Sequence, residues 1–166
     1  MSLPETSWER RPIEVANLLN PAFGAILIRD AVVAHDKANG PGMPFALAYF
    51  ILPVALHPET RAALPGTTGA MLHVWLQEHG VIREETTNRL IRLKPFTNEA
   101  ITFGIHHGLL AIGDDGRLLK TQVRLRDPFE DGTDPRLCRD AAAFVGRWFG
   151  KQANTPLLFS LWGIRP

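Results

Sequence analysis

The chain is short of cysteine: Cys138 stands alone among 166 residues. A single thiol excludes an internal disulfide and a Cys-rich zinc site. That usage suits a reducing cytoplasm. Charge of one sign is lacking too, since 18 Lys and Arg face 17 Asp and Glu, for a net +1. No global field therefore drives the protein onto nucleic acid or anionic lipid, and any such contact must come from a local patch. Long hydrophobic runs are missing as well. The longest, Phe45 to Leu56, is interrupted by Pro53 and falls short of the about 20 residues a spanning helix needs. Met1 to Arg11 carries no apolar signal-peptide core, so a membrane partner is not expected.

Catalytic signatures are equally scarce. Gly146-Arg147-Trp148-Phe149-Gly150-Lys151 lacks the spacing of a phosphate loop and the Ser or Thr that would hold magnesium. Neither a nucleophile elbow nor a His-Glu-x-x-His pair occurs. His106 and His107 are neighbours on a predicted helix, so their side chains diverge by about 100° and do not share an ion easily. Arg136 and Arg139 flank Cys138 and would favour its thiolate, but no motif places a histidine beside it. The sequence thus points to a protein that is not an enzyme and takes no cofactor or metal. An enzyme with an unrecognised site stays open as an alternative.

What is present is a globular composition, 45% hydrophobic and 21% charged, in one domain's length. Asn20-Pro21 reads as a helix start, because Asn caps free N–H groups and Pro tolerates the first helical position. That helix runs to Asp36 or Lys37, with apolar residues nearly all round (Phe23, Ile26, Leu27, Ile28, Val32, Val33), which predicts burial on several sides. A shorter helix over Ile13 to Leu19 is expected before it. Pro44 opens another apolar helix, a short one follows over Glu59 to Leu64, and Thr67 or Thr68 caps a third, ended at a left-handed Gly80. Met71, Leu72, Trp75 and Leu76 form its buried stripe.

The segment Val81 to Thr121 predicts a helix over Arg83 to Leu93 and a break at Lys94-Pro95-Phe96, because Pro95 disfavours a helical Lys94. A second helix over Asn98 to Leu110 is capped by Thr97. A hairpin follows, turning at Gly113-Asp114-Asp115-Gly116. Helix, break, helix, hairpin is the order of a winged helix-turn-helix. The expected fold is therefore α+β and mostly helical, a single domain over 1–166. It holds a winged-helix-like unit at about 67–126, N-terminal helices over 12–64 and C-terminal helices over 136–163. Arg117, Lys120, Arg124 and Arg126 line the wing and its exit with no acid before Asp127, a pattern suited to phosphate contact without sequence preference. The supposed recognition helix instead offers Asn98, Glu99, Thr102, His106 and His107, with no Arg or Lys to read a guanine edge. A winged-helix transcription regulator is the alternative that a basic recognition helix would have favoured.

Large apolar side chains crowd the chain's last third. Trp148, Phe149, Phe159 and Trp162 are expected at a partner surface, since a helix over Leu157 to Ile164 is too short to stand alone and too apolar for water. Burial of the whole tail in its own domain is the competing expectation.

An ordered series of segments carries a resemblance. It comprises Asn17-Leu18-Leu19-Asn20-Pro21-Ala22-Phe23, Met43-Pro44-Phe45 leading to Ile51-Leu52-Pro53, and Leu56-His57 through Arg61 to Pro65. Phe103-Gly104 with Gly108-Leu109-Leu110, Gly146-Arg147-Trp148-Phe149 and Leu161-Trp162-Gly163-Ile164-Arg165-Pro166 complete it. The chain resembles the middle components of bacterial three-component ABC ATPase systems from about Asn17 onward. It also looks like the winged-helix accessory subunits of condensin-like complexes. The resemblance implies a small adaptor between an SMC-like ABC ATPase and an effector protein, in bacterial defence against phages or plasmids. It supplies no site residues.

Overall fold

Helices dominate a computed structural model that describes residues 19–152 and 154–165. The helix expected over Ile13 to Leu19 lies almost wholly outside those residues. Helix α1, Pro21–Asn39, starts where Asn20 accepts the N–H groups of Ala22 and Phe23, and it ends at Gly40 with φ +82°. Buried positions run round it, from Gly24 and Ala25 through Leu27, Ile28, Ala31 and Val32 to Ala34 and His35, as its apolar pattern requires. A 3₁₀ turn, Phe45–Leu47, leads into α2, Ala48–Ala55, then α3, Pro58–Ala63, and α4, Leu72–Glu78. Helix α4 starts later than expected. Thr67 folds back to accept the N–H of Gly69 rather than capping it, and Thr68 is buried, accepting from Lys151 Nζ at 2.7 Å.

The expected break at Pro95 is absent: α5 runs unbroken over Gly80–His106 with Pro95 inside it. Gly80 accordingly opens α5 and keeps a negative φ instead of ending α4. An internal proline removes one helical hydrogen bond and crowds the carbonyl four residues back. Here Pro95 is exposed and the carbonyl belongs to Ile91, itself 66% exposed, so water can satisfy it. Leu90 before the proline and Phe96, Thr97, Ala100 and Ile101 after it are buried in the same core, so packing holds both halves in register. The two-helix element of a helix-turn-helix is therefore one helix.

The hairpin forms as expected. Strands β1, Leu110–Ile112, and β2, Leu118–Lys120, pair antiparallel with Leu110 opposite Lys120. Its loop closes through Gly116 N–H to Gly113 O at 2.9 Å, and only Gly116 takes a positive φ, +80°. Met43 exchanges both backbone bonds with Leu118, adding a one-residue bridge on the other edge of β2. Helix α6, Asp134–Gly150, and α7, Thr155–Trp162, follow the hairpin, and the Asn154 side chain caps α7 by accepting the N–H of Leu157.

Helix α1 packs most extensively on α6 and next on α5. Glycine sets the first contact: Gly146 and Gly150 let α6 approach Ala31, His35 and Ala38. No helix among the described residues is long and apolar enough to cross a membrane.

Candidate interaction surfaces

The four aromatic residues expected at a partner surface are core residues. Trp148 and Phe149 are 1% exposed, Trp162 3% and Phe159 8%. Phe50 of α2 stands at their centre, with ring centroids 5.7 Å from Phe149, 5.0 Å from Phe159 and 5.3 Å from Trp162. Trp75 of α4 closes the cluster, 5.5 Å from Trp148 and 6.4 Å from Trp162. The α7 helix is too short to be stable alone, and these rings hold it in place. Leu158 of α7 is buried with them, whereas Leu161 and, past the helix, Ile164 are half-buried and Leu157 is exposed. The sequence could not reveal that α2 supplies the facing aromatic.

The basic residues of the wing divide. Arg117 is committed to the fold: it donates to Gly42 O at 3.1 Å and lies 3.5 Å from Asp115. Lys120, Arg124 and Arg126 are exposed, and their side chains make no ion pair or hydrogen bond among the described residues. The chain that carries them is a strap fixed at both ends. Arg29 of α1 donates to Thr121 O at 3.4 Å and to Val123 O, and Thr121 Oγ1 donates to Gly108 O at 2.5 Å. At the far end Asp127 is held by Arg136 at 2.9 Å and Arg139 at 3.2 Å. The N–H of Phe129 donates to Asp127 and, with those two guanidinium groups, keeps its carboxyl below the usual carboxylate range.

Beside the strap lies a cleft of about 210 Å³ between α1 and α6. At one end Arg139 donates to both oxygens of Asp30, at 2.6 and 2.9 Å, and hydrogen bonding to Asp30 raises its own pKa. Arg136 adds Asp140 at 3.0 Å. Val33, Ala34 and Ala143 line the cleft's walls, and Lys37 and Arg147 line it as exposed cations without partners among the described residues. No signal in the sequence joined Lys37 to Arg147, which lie 110 positions apart.

A second polar cluster sits where α3 meets α5. Arg89 donates to the hydroxyls of Thr60 at 2.8 Å and Thr86 at 3.1 Å. His57 Nδ1 caps α3, meeting Thr60 Oγ1 at 3.0 Å and the Thr60 N–H at 3.3 Å. Burial and the nearby Arg89 lower the His57 pKa, which suits an accepting Nδ1. Cys138 is buried, and burial raises its thiol despite Arg61 at 3.2 Å, the opposite of an activated nucleophile.

His106 and His107 are exposed, and the His107 ring stacks on Phe103 at 3.9 Å. Among the described residues no three His, Cys, Asp or Glu side chains are grouped to hold a metal ion. An apolar hollow of about 660 Å³ lies between Asn20, Pro21 and Ala22, where the described chain begins, and Thr102, Phe103, His106 and His107.

Over residues 8–166 the chain matches the family model described as ABC-three component (ABC-3C) system Middle Component 3, and it belongs to that family. No curated protein and no solved structure matches the chain.

Proposed function

We propose that this member of the Middle Component 3 family is a non-catalytic adaptor joining an SMC-like ABC ATPase to an effector protein, within a bacterial defence against phages or plasmids. The observation that carries the reading is the family match, which spans residues 8–166 and leaves almost none of the chain outside it. The buried Cys138 thiol is consistent with it, since burial there disfavours the thiolate form that nucleophilic chemistry uses. The adaptor acts in the cytoplasm, where its partners would meet nucleic acid.

Adaptor function requires a surface that survives as a unit when partners pull on it. The aromatic cluster serves that need from inside by binding α2, α4, α6 and α7 together. Partner contact then falls to exposed side chains outside the cluster, and Trp148, Phe149, Phe159 and Trp162 support that surface from beneath.

The test is reconstitution from the purified ATPase, this chain and the third component. On size-exclusion chromatography the ATPase and the effector co-elute only when this chain is present, and calorimetry of this chain alone with ATP gives no saturable heat. Direct association of the other two without it removes the adaptor reading. Micromolar ATP binding by the isolated chain would favour an enzyme.

A further inference from the structure

The strap and the cleft share a face, because Asp127 both ends the strap and lines the cleft. Along the strap Arg124 and Arg126 are exposed on either side of the half-buried Leu125. Arg29 and the Arg136–Arg139 pair fix the backbone on either side of them. Two free cations are thus presented from a segment whose ordering is already complete, and Lys120 stands beside them at the end of β2.

The cleft extends the same property. Asp30, Asp127 and Asp140 line it, three carboxylates sharing the two guanidinium groups of Arg136 and Arg139. Lys37 on α1 and Arg147 on α6 make no ion pair among the described residues and bring the lining to a net charge of +1. A cavity of about 210 Å³ holds a phosphate group with part of its hydration, since a water takes about 30 Å³. Exposed Glu130 and Asp131 border this face, so a polyanion is directed along the strap toward the wing.

We propose that this face binds the phosphate backbone of nucleic acid, with Lys120, Arg124 and Arg126 along the strap and Lys37 and Arg147 seating one phosphate in the α1–α6 cleft. No base edge is read, so binding is independent of sequence and set by counter-ion release. The inference goes beyond the adaptor reading and is tested on the isolated chain, so either can fail without the other.

Fluorescence anisotropy with a labelled random-sequence DNA duplex, between about 50 and 200 mM salt, reads the contacts directly. Five contacts give a log–log salt slope of about −4.5. Lys120→Ala/Arg124→Ala/Arg126→Ala flattens it by about 2.7 and Lys37→Ala/Arg147→Ala by about 1.8. Arg83→Ala/Arg92→Ala, on the exposed side of α5, leaves it unchanged. The charge-keeping pair Arg124→Lys/Arg126→Lys preserves the slope, which separates lost contacts from lost folding. Overturning results are an unchanged slope in both alanine variants, equal flattening by the α5 pair, or polyglutamate displacing the duplex as a tighter ligand, which would mark an acidic protein surface instead.

Discussion

Gly146 of α6 lies against the backbone of Ala31 of α1 so closely that a Cβ on Gly146 would stand 2.2 Å from the Ala31 carbonyl oxygen. Such an approach cannot be relieved by turning a side chain, because the obstacle is backbone. Gly150, one turn on, is gentler: its Cβ would meet the Ala38 methyl at 2.9 Å. Together they make the α1–α6 contact a close backbone crossing.

Gly146→Ala therefore forces the two helices apart. Better helix propensity contributes about 1 kcal/mol in its favour, while overpacking costs about 3 kcal/mol or more. Urea unfolding should show a net loss of at least about 2 kcal/mol. Gly80→Ala is the control, because nothing lies within 4 Å of a Cβ there and φ is not positive. It should be neutral or stabilising by up to about 1 kcal/mol. Equal effects of the two substitutions would contradict the close crossing.

Three indole groups are core, but they differ in one bond. Trp75 Nε1 donates to Ala63 O at 2.9 Å and Trp148 Nε1 to Ala70 O at 2.8 Å, whereas Trp162 Nε1 has no partner among the described residues. Replacing Trp75 or Trp148 with Phe strands a carbonyl at a cost of about 1–3 kcal/mol beyond the lost volume. Trp162→Phe loses volume alone and should be the mildest of the three by thermal melting. Trp162→Ala should cost about 3–5 kcal/mol as a core truncation. A melting temperature near wild type in that variant would restore the partner-surface expectation.

Local chemistry was legible in the sequence where a residue acts on its neighbours. Asn20 capping α1 and the Gly113–Gly116 turn follow from three or four residues each. Long-range facts were not. Pro95 interrupts a helix only if nothing holds the next turn, and what holds it is burial of Phe96 and Ala100, the latter against Gly24 of α1. The string Gly146 to Gly150 showed its failure as a phosphate loop but not its use as a helix crossing, which needs the position of Ala31. The wing cations were visible as a cluster, yet the commitment of Arg117 to Gly42 and the addition of Lys37 and Arg147 depend on the fold.

Asp30 and Arg139 form a two-bond pair whose side chains are each only 14% exposed. Breaking one member leaves the other poorly solvated. Asp30→Ala should cost about 3 kcal/mol, tempered because Arg139 retains Asp127 at 3.2 Å. Arg139→Met should cost less than the sum of its separate contacts, since Arg136 still holds Asp127. A double-mutant cycle by urea unfolding should return coupling of at least about 1 kcal/mol between Asp30 and Arg139. Additive losses would show that the pair, despite its geometry, contributes no mutual stabilisation.

His35 gives the fold a pH dependence whose sign can be fixed. The side chain is 1% exposed, and its Nδ1 has no hydrogen-bond partner among the described residues. Burial lowers its pKa from 6.5; Asp36 opposes that shift and Arg117 reinforces it. The unfolded chain therefore takes up a proton before the folded chain does. Stability from this site is complete above pH 6.5 and is lost as the pH falls from there through the folded-state pKa. His57, depressed by burial and by Arg89, acts in the same direction. Urea midpoints measured downward from neutral pH should fall, and His35→Leu should remove part of that slope while His57→Asn, which keeps a capping side chain, removes another part. The His35→Leu slope matching wild type would mean that His35 takes its proton equally in both states, and that the buried ring is reached by water.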